Sequence, residues 1–222
     1  MTDPGLVLIA PELEARGIEL DALQRDRLVR YAALLQHWNR RINLVGTQDS
    51  AELWQRHVLD CLMLASVPPN PALRRWLDVG SGAGLPGIVL AILRPDVDVT
   101  AAETVAKKAT FLQEAARQLD LPNFHCLRQD VHRLAGRPDF VPFDALVARA
   151  FGPLGGLLAL GVALLRPAGE VWAMKGRRWA AEAAQILPAV LAAYEPTPGV
   201  HPYCLEDQPE GFLLVYRRLT AA

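Results

Sequence analysis

Residues 76–87 read Trp-Leu-Asp-Val-Gly-Ser-Gly-Ala-Gly-Leu-Pro-Gly, and their types and spacing are those of a ligand-binding turn. The stretch begins apolar and β-branched, as a short buried strand does, and ends in glycines. Leu85, Ile88, Val89, Ala91, Ile92 and Leu93 then form an apolar face at helical spacing. The unit is therefore strand, glycine turn, helix, predicted over 75–80 and 85–94. Glycine lets backbone approach a ligand with no Cβ in the way. A helix start offers unpaired N–H groups and a partly positive end to an anionic or polar ligand. Such units bind nucleotides at the carboxyl edge of an α/β sheet.

Two frames fit the glycines. Gly82-Ala-Gly84-Leu-Pro-Gly87 satisfies the dinucleotide pattern G-x-G-x-x-G. Asp78-Val-Gly80-Ser-Gly82-Ala-Gly84 satisfies D-x-G-x-G-x-G, the signature of enzymes that use S-adenosylmethionine. Both ligands want an acid at the end of the next strand to hold ribose hydroxyls. Glu103 stands there and does not discriminate between them.

Other candidates lie outside the turn. His57 and Asp60 are three apart on one helix, hence on one face. They read either as a substrate-side pair or as a surface capping pair. Lys175, Arg177 and Arg178 follow the fifth strand, and Arg128 and Arg133 follow the third. With Arg56 they are candidates for RNA phosphate, or plain solvated charge. Phe151, after the fourth strand, reads as a base-stacking ring or as part of a helix cap.

The elements that position these residues alternate. After the first βα unit come a strand at 98–103, a helix at 105–119, and a strand at 124–128. A short helical turn at 131–134, a strand at 143–148 and a helix at 154–165 follow. A strand at 170–174 and a helix at 180–193 complete the alternation. Two β-like runs, 194–203 and 212–219, have no helix between them and should pair antiparallel. Ahead of all this, 20–39 and 50–65 are amphipathic helices, and Pro68-Pro69-Asn70-Pro71 breaks the chain. The expected architecture is α/β. A helical cap at 1–70 leads into a doubly wound, mostly parallel seven-stranded sheet at 71–222 that ends in an antiparallel hairpin.

Composition bounds the rest. The chain has 222 residues, 51% of them hydrophobic, enough for a sizeable core. Its formal net charge is −1, so nucleic acid would need a local basic patch. Cys61, Cys126 and Cys204 lie far apart without metal-ligand spacing, which suggests reduced thiols, no metal and a cytoplasmic setting. No apolar run is long enough to span a bilayer, and no membrane role is expected.

Taken in order, Asn43-Leu44, Arg56-His57-x-x-Asp60, 78–87, Lys107-Lys108-x-x-Phe111-Leu112, Arg149-Ala150-Phe151 and Met174-Lys175-Gly176 resemble a bacterial family. It is the 16S ribosomal RNA guanine-N7 methyltransferases, also called glucose-inhibited division protein B. The resemblance implies a methyltransferase of the S-adenosylmethionine-dependent fold that acts on N7 of a guanine in 16S ribosomal RNA, free or within the small subunit. It implies cofactor contacts at Gly80 and Leu85, with Gly82 and Gly84 in the same loop, at Gln129 and Asp130, and at Arg149. Departures from the family pattern are Glu103-Thr104 for Asp-Ser and Gln129-Asp130 for Ala-Glu. Two readings stand beside it: a nicotinamide-dependent oxidoreductase, and a non-catalytic RNA-binding module. For N7 the resemblance implies no nucleophile and no general base, because that nitrogen has a free lone pair and no proton. On the substrate side it leaves His57, Asp60 and Lys175.

Overall fold

A computed structural model describes residues 3–68, 70–205 and 209–220. The outer limits of the two expected units, Met1 and Ala222, and Pro69 of the break lie outside these. Helix α1 (Pro4–Ala15) and helix α2 (Ala22–Ile42) come first. Asp21 caps α2 reciprocally with Gln24: its carboxylate accepts from the Gln24 amide, and the Gln24 side chain accepts from the Asp21 amide. Asn43 ends the helix in the left-handed region, at φ 50°.

The expected helix at 50–65 is a composite. It runs as α3 (Ser50–Leu53), a π-helical segment (Trp54–Val58), α4 (Leu59–Leu62) and a 3₁₀ turn (Met63–Ser66). The π segment carries Arg56 and His57, so their spacing to Asp60 is wider-wound than that of an α-helix.

Seven strands form one sheet in the order β3-β2-β1-β4-β5-β7-β6. They are β1 (Arg75–Val79), β2 (Asp98–Ala102), β3 (Phe124–Leu127), β4 (Phe143–Arg149), β5 (Leu165–Gly176), β6 (Gly199–Tyr203) and β7 (Gly211–Arg217). The first five pair in parallel, and β7 pairs antiparallel with both β5 and β6. The crossover helices are α5 (Gly87–Leu93), α6 (Ala106–Gln118) and α7 (Leu154–Leu164). Between β3 and β4 the chain makes only a 3₁₀ turn (Val131–Gly136).

Strand alternation sorts the side chains into two cores. Trp76, Val99, Ala101, Ala145, Val147 and Trp172 face α5, α6 and the N-terminal helices. Leu77, Val79, Leu146, Ala148, Val171 and Ala173 face α7. Being buried on both sides, the central strands are near-continuously apolar. In that setting the charge of Asp78, in the middle of β1, stands out.

Three expectations change. The helix after the glycine turn begins at Gly87, not at residue 85. The β5 strand is longer than 170–174, running from Leu165 to Gly176 and paired along its length with β4 and then β7. The helix expected at 180–193 is broken into α8 (Trp179–Ala183) and α9 (Pro188–Leu191). Pro188 has no N–H and disfavours helical backbone at the residue before it, so Leu187 is extended, at ψ 133°.

The N-terminal helices meet the glycine loop directly. The buried Tyr31 hydroxyl, on α2, donates to the Ala83 carbonyl at 2.7 Å. Tyr31→Phe keeps the ring and orphans that carbonyl. It should lower unfolding free energy by about 1–3 kcal/mol in urea titration, with unchanged far-ultraviolet circular dichroism. An unaltered midpoint would mean the hydroxyl does not hold the loop.

Candidate functional site

The loop after β1 is held by its own protein from below. Gly80, Gly82 and Gly84 have φ of 70°, 53° and 82°, the left-handed region that glycine adopts without strain. The amides of Gly80 and Ser81 donate to the Ala102 carbonyl, at the end of β2, at 3.1 and 3.3 Å. The Gly82 amide donates to Glu103 Oε2 at 2.9 Å, and the Val105 amide donates to Glu103 Oε1 at 2.8 Å. A Cβ placed on Gly82 would meet nothing nearer than the Gly80 carbonyl oxygen, 3.8 Å away, so the loop faces open space there.

The helix start behaves differently from the sequence expectation. The Gly87 amide donates to Asp78 Oδ2 at 3.1 Å, and the Ile88 amide to the Gly84 carbonyl at 2.8 Å. These first amides of α5 are satisfied inside the protein. What the turn leaves for a ligand is the open space at Gly82, not the helix end.

Asp78 is the residue that sequence reasoning passed over. It is 1% exposed, and its Oδ1 has no hydrogen-bond partner. Ser81 donates to the main-chain carbonyl of Asp78, not to its carboxylate. Burial disfavours the ionised form and pushes the carboxyl up to about 7. Its place in the D-x-G-x-G-x-G frame was the available signal.

Arg149 ends β4 and gathers residues from three parts of the chain. Its Nε donates to Asp60 Oδ2 at 2.6 Å. Its Nη2 donates to the Arg56 carbonyl and to His57 Nδ1, each at 2.9 Å. A guanidinium has no lone pair, so Nδ1 of His57 is the acceptor and carries no proton. Burial, and the Arg149 charge, lower the His57 pKa to about 4, so the ring is neutral near pH 7. The Tyr203 hydroxyl, at the end of β6, donates to Asp60 Oδ1 at 2.6 Å. His57 and Asp60 are thus part of a half-buried cluster around Arg149, not a surface capping pair, and both Asp60 oxygens accept a hydrogen bond. Tyr203 was not legible from the sequence, since nothing local marks it.

The remaining candidates separate by their partners. Lys175 donates to the Gly152 carbonyl at 2.8 Å and to Glu182 at 2.7 Å, and its side chain is 10% exposed. It ties β5 to the β4–α7 loop and to α8, so it is turned inward. Arg128, Arg133, Arg177 and Arg178 are exposed, while Arg56 is paired with Glu52 at 2.6 Å. Gln129 and Asp130 follow β3 half-buried, and Asp130 accepts from the His132 amide at 3.0 Å. Leu85 is buried behind the loop. The ring of Phe151 lies on Gly80, where a Cβ would come within 2.7 Å of it. The β4–α7 loop holding it places Ala150 and Gly152 at φ 55° and 44°. All these groups stand at the carboxyl edge of the parallel strands, where an open α/β sheet binds ligands.

Among the described residues, no group of three or more His, Cys, Asp or Glu is placed to hold a metal ion, and no helix is long and apolar enough to cross a membrane.

Comparison with solved structures places this fold among methyltransferases. A putative O-methyltransferase from Klebsiella pneumoniae superposes with a TM-score of 0.60 at 16% identity, covering 97% of each chain. The precorrin-6y C5,15-methyltransferase from Geobacter metallireducens gives 0.54 at 13% identity, covering 80% of this chain and 92% of that one. At the sequence level, the ribosomal RNA small subunit methyltransferase G of Acidovorax sp. (strain JS42) is 43% identical over 176 residues, 73% of this chain and 75% of its own. The protein of the same name from Chromohalobacter salexigens is 40% identical over 190 residues, 82% and 88%. The family model described as rRNA small subunit methyltransferase G matches residues 24–194. These matches remove the nicotinamide frame, and the chain belongs to the rRNA small subunit methyltransferase G family.

Proposed function

We propose that this chain transfers a methyl group from S-adenosylmethionine to N7 of a guanine in small-subunit (16S) ribosomal RNA. The observation that supports it is one sheet edge carrying both an open glycine loop and the Arg149 cluster, in a chain of this family. The residues fit the cofactor. Open space lies above Gly82, and the buried Asp78 Oδ1 below the loop lacks a donor. Gly80, Gly82, Gly84 and Leu85 would line it. Glu103 would take ribose hydroxyls: each of its oxygens keeps a lone pair after accepting one amide. Gln129 and Asp130 would meet the adenine, and Arg149 would complete the set. When bound, the cofactor supplies a methyl carbon on a sulfonium.

The chain's own task is positioning. Nucleophile, carbon and sulfur must lie in line, and holding them so accounts for most of the rate. N7 of guanine presents its lone pair without losing a proton, so the neutral His57 need not act as a base. Arg128, Arg133, Arg177 and Arg178, all exposed, would hold RNA phosphate, and Lys175 through its ion pair ties β5 to α8. The N-terminal helices would act as a cap over this edge, and a cytoplasmic setting follows from the substrate.

Incubation of the protein with methyl-labelled cofactor and 16S ribosomal RNA, naked and in small subunits, should label a single guanine at N7. Label on another atom, or none, would overturn the reading.

Gly82→Val should abolish cofactor binding in calorimetric titration while leaving the fold intact. Its side chain would enter the open space above the loop, and valine at φ 53° is strained. Wild-type affinity would remove the loop from the site.

Asp78 makes a prediction in pH. Burial raises its folded-state pKa from the ordinary aspartate value of 3.8 to about 7. The folded state therefore holds a proton that the unfolded chain releases, and this stability, present below about pH 4, is lost as pH rises through 7. The loss reaches about 4 kcal/mol at most. Asp78→Asn should flatten the unfolding free energy between pH 4 and 7 in the cofactor-free protein. Parallel curves for variant and wild type would show Asp78 to be ionised throughout.

A further inference from the structure

We infer that the cleft on the far side of the β4–α7 loop is the subsite for the target guanine, and that Glu210 reads its Watson–Crick edge. The inference rests on the function proposed above. The cleft has a volume of about 400 Å³. Its lining runs across the sheet, from Arg149 and Ala150 at the end of β4, through Met174 and Lys175 on β5, to Tyr203 and Glu210 in the hairpin. One residue along from Ala150, the ring of Phe151 rests on Gly80. The cleft and the cofactor loop are therefore on the two sides of a single turn of chain.

The charges in the cleft are unequal in what they have left to give. Asp60 accepts from Arg149 and Tyr203, and its charge is cancelled by the Arg149 guanidinium. Lys175 is neutralised by Glu182, which also caps the Leu154 amide. Glu210 is half-buried and has no hydrogen bond or ion pair among the described residues. With the two ion pairs cancelled, it is the one uncompensated carboxylate among the described lining residues. Asp60, which the sequence left on the substrate side, is neutralised by Arg149, and the acceptor for a base here is Glu210.

The chemistry suits that acceptor. Guanine is the common base that shows two adjacent donors, N1–H and the 2-amino group, and one carboxylate accepts both. Adenine offers neither. Unstacked bases in RNA are read on this edge. Held there, guanine turns N7 away from Glu210 and toward the β4–α7 loop. In the transfer, the N7 lone pair forms the new N–C bond and the C–S bond breaks with its pair remaining on sulfur. No proton moves, and the positive charge passes from sulfonium to purine. A cationic purine donates more strongly from N1–H and the amino group. The contact to Glu210 therefore tightens as the bond forms, which raises kcat and not only affinity.

The test first maps the methylated base with wild-type protein. RNA with inosine at that one position is then prepared; inosine keeps N1–H and N7 and lacks the 2-amino group. Wild type should methylate inosine ~10- to 100-fold less efficiently in kcat/KM, the loss expected for a hydrogen bond to a charged group. Glu210→Gln should lower kcat/KM on guanine by a similar factor, chiefly through kcat, with unchanged cofactor affinity and thermal midpoint. In that variant the preference for guanine over inosine should shrink toward unity. Equal wild-type rates on guanine and inosine, or a Glu210→Gln variant that keeps both rate and preference, would overturn the inference while leaving the proposed function standing. No N7 methylation by wild type at all would overturn both.

Discussion

One ion pair holds the working edge of this molecule together. Arg149 leaves the end of β4, and Asp60 reaches it from α4, 2.6 Å away. Both side chains are largely buried, at 20% and 18% exposure. Such a pair contributes little net stability against an apolar replacement, because desolvation offsets the attraction. Losing one partner is a different matter, costing about 3–5 kcal/mol because a buried charge is left alone. The geometry follows from that asymmetry. Tyr203 from the hairpin fills the second Asp60 oxygen, while His57 and the Arg56 carbonyl fill Nη2 of Arg149. N-terminal helices, central sheet and hairpin meet at these four hydrogen bonds, so the cluster fixes where β4 ends relative to the glycine loop.

The π-helical segment belongs to the same constraint. A regular α-helix from 50 to 62 would present Arg56 and His57 at a different angle to Asp60. The wider winding over Trp54–Val58 brings the Arg56 carbonyl and the His57 ring to one guanidinium. π-helical turns inside α-helices recur at functional sites for this reason. Here the irregularity serves the placement of an arginine.

What could be read from the sequence divides along the same line. The glycine turn, the strand ends and the order of the sheet were legible because each depends on local spacing: glycines at 80, 82 and 84, apolar runs of strand length, an acid at 103. Partnerships were not legible. Lys175 looks like free cation in sequence, yet Glu182 lies seven residues on, across a turn, and neutralises it. Asp60 looks like a free acceptor until Tyr203, 143 residues away, occupies it. The break at Pro188 was legible and underweighted, since the apolar periodicity of 180–193 continues through it. Asp78 was visible within the motif, but its orphaned oxygen is a property of the packed core above and below β1.

The electrostatics of the edge agree with a transfer that moves charge without creating it. Where an enzyme methylates carbon through a cysteine, the thiol must be a thiolate, and a nearby cation lowers its pKa. Cys61 lies close enough to Arg149 to feel that charge, yet full burial outweighs it and pushes the thiol up. Asp60, Asp78 and the arginine together leave no field that would ionise it. His57 is likewise held neutral, with its free lone pair already given to Arg149. Neither the histidine nor the thiol of this edge is thus set up to take a proton or attack a carbon. What remains is backbone to hold a nucleotide, paired charges that fix distances, and the unpaired Glu210 carboxylate. An acceptor with a ready lone pair, such as N7 of guanine, is the nucleophile that such an edge can serve.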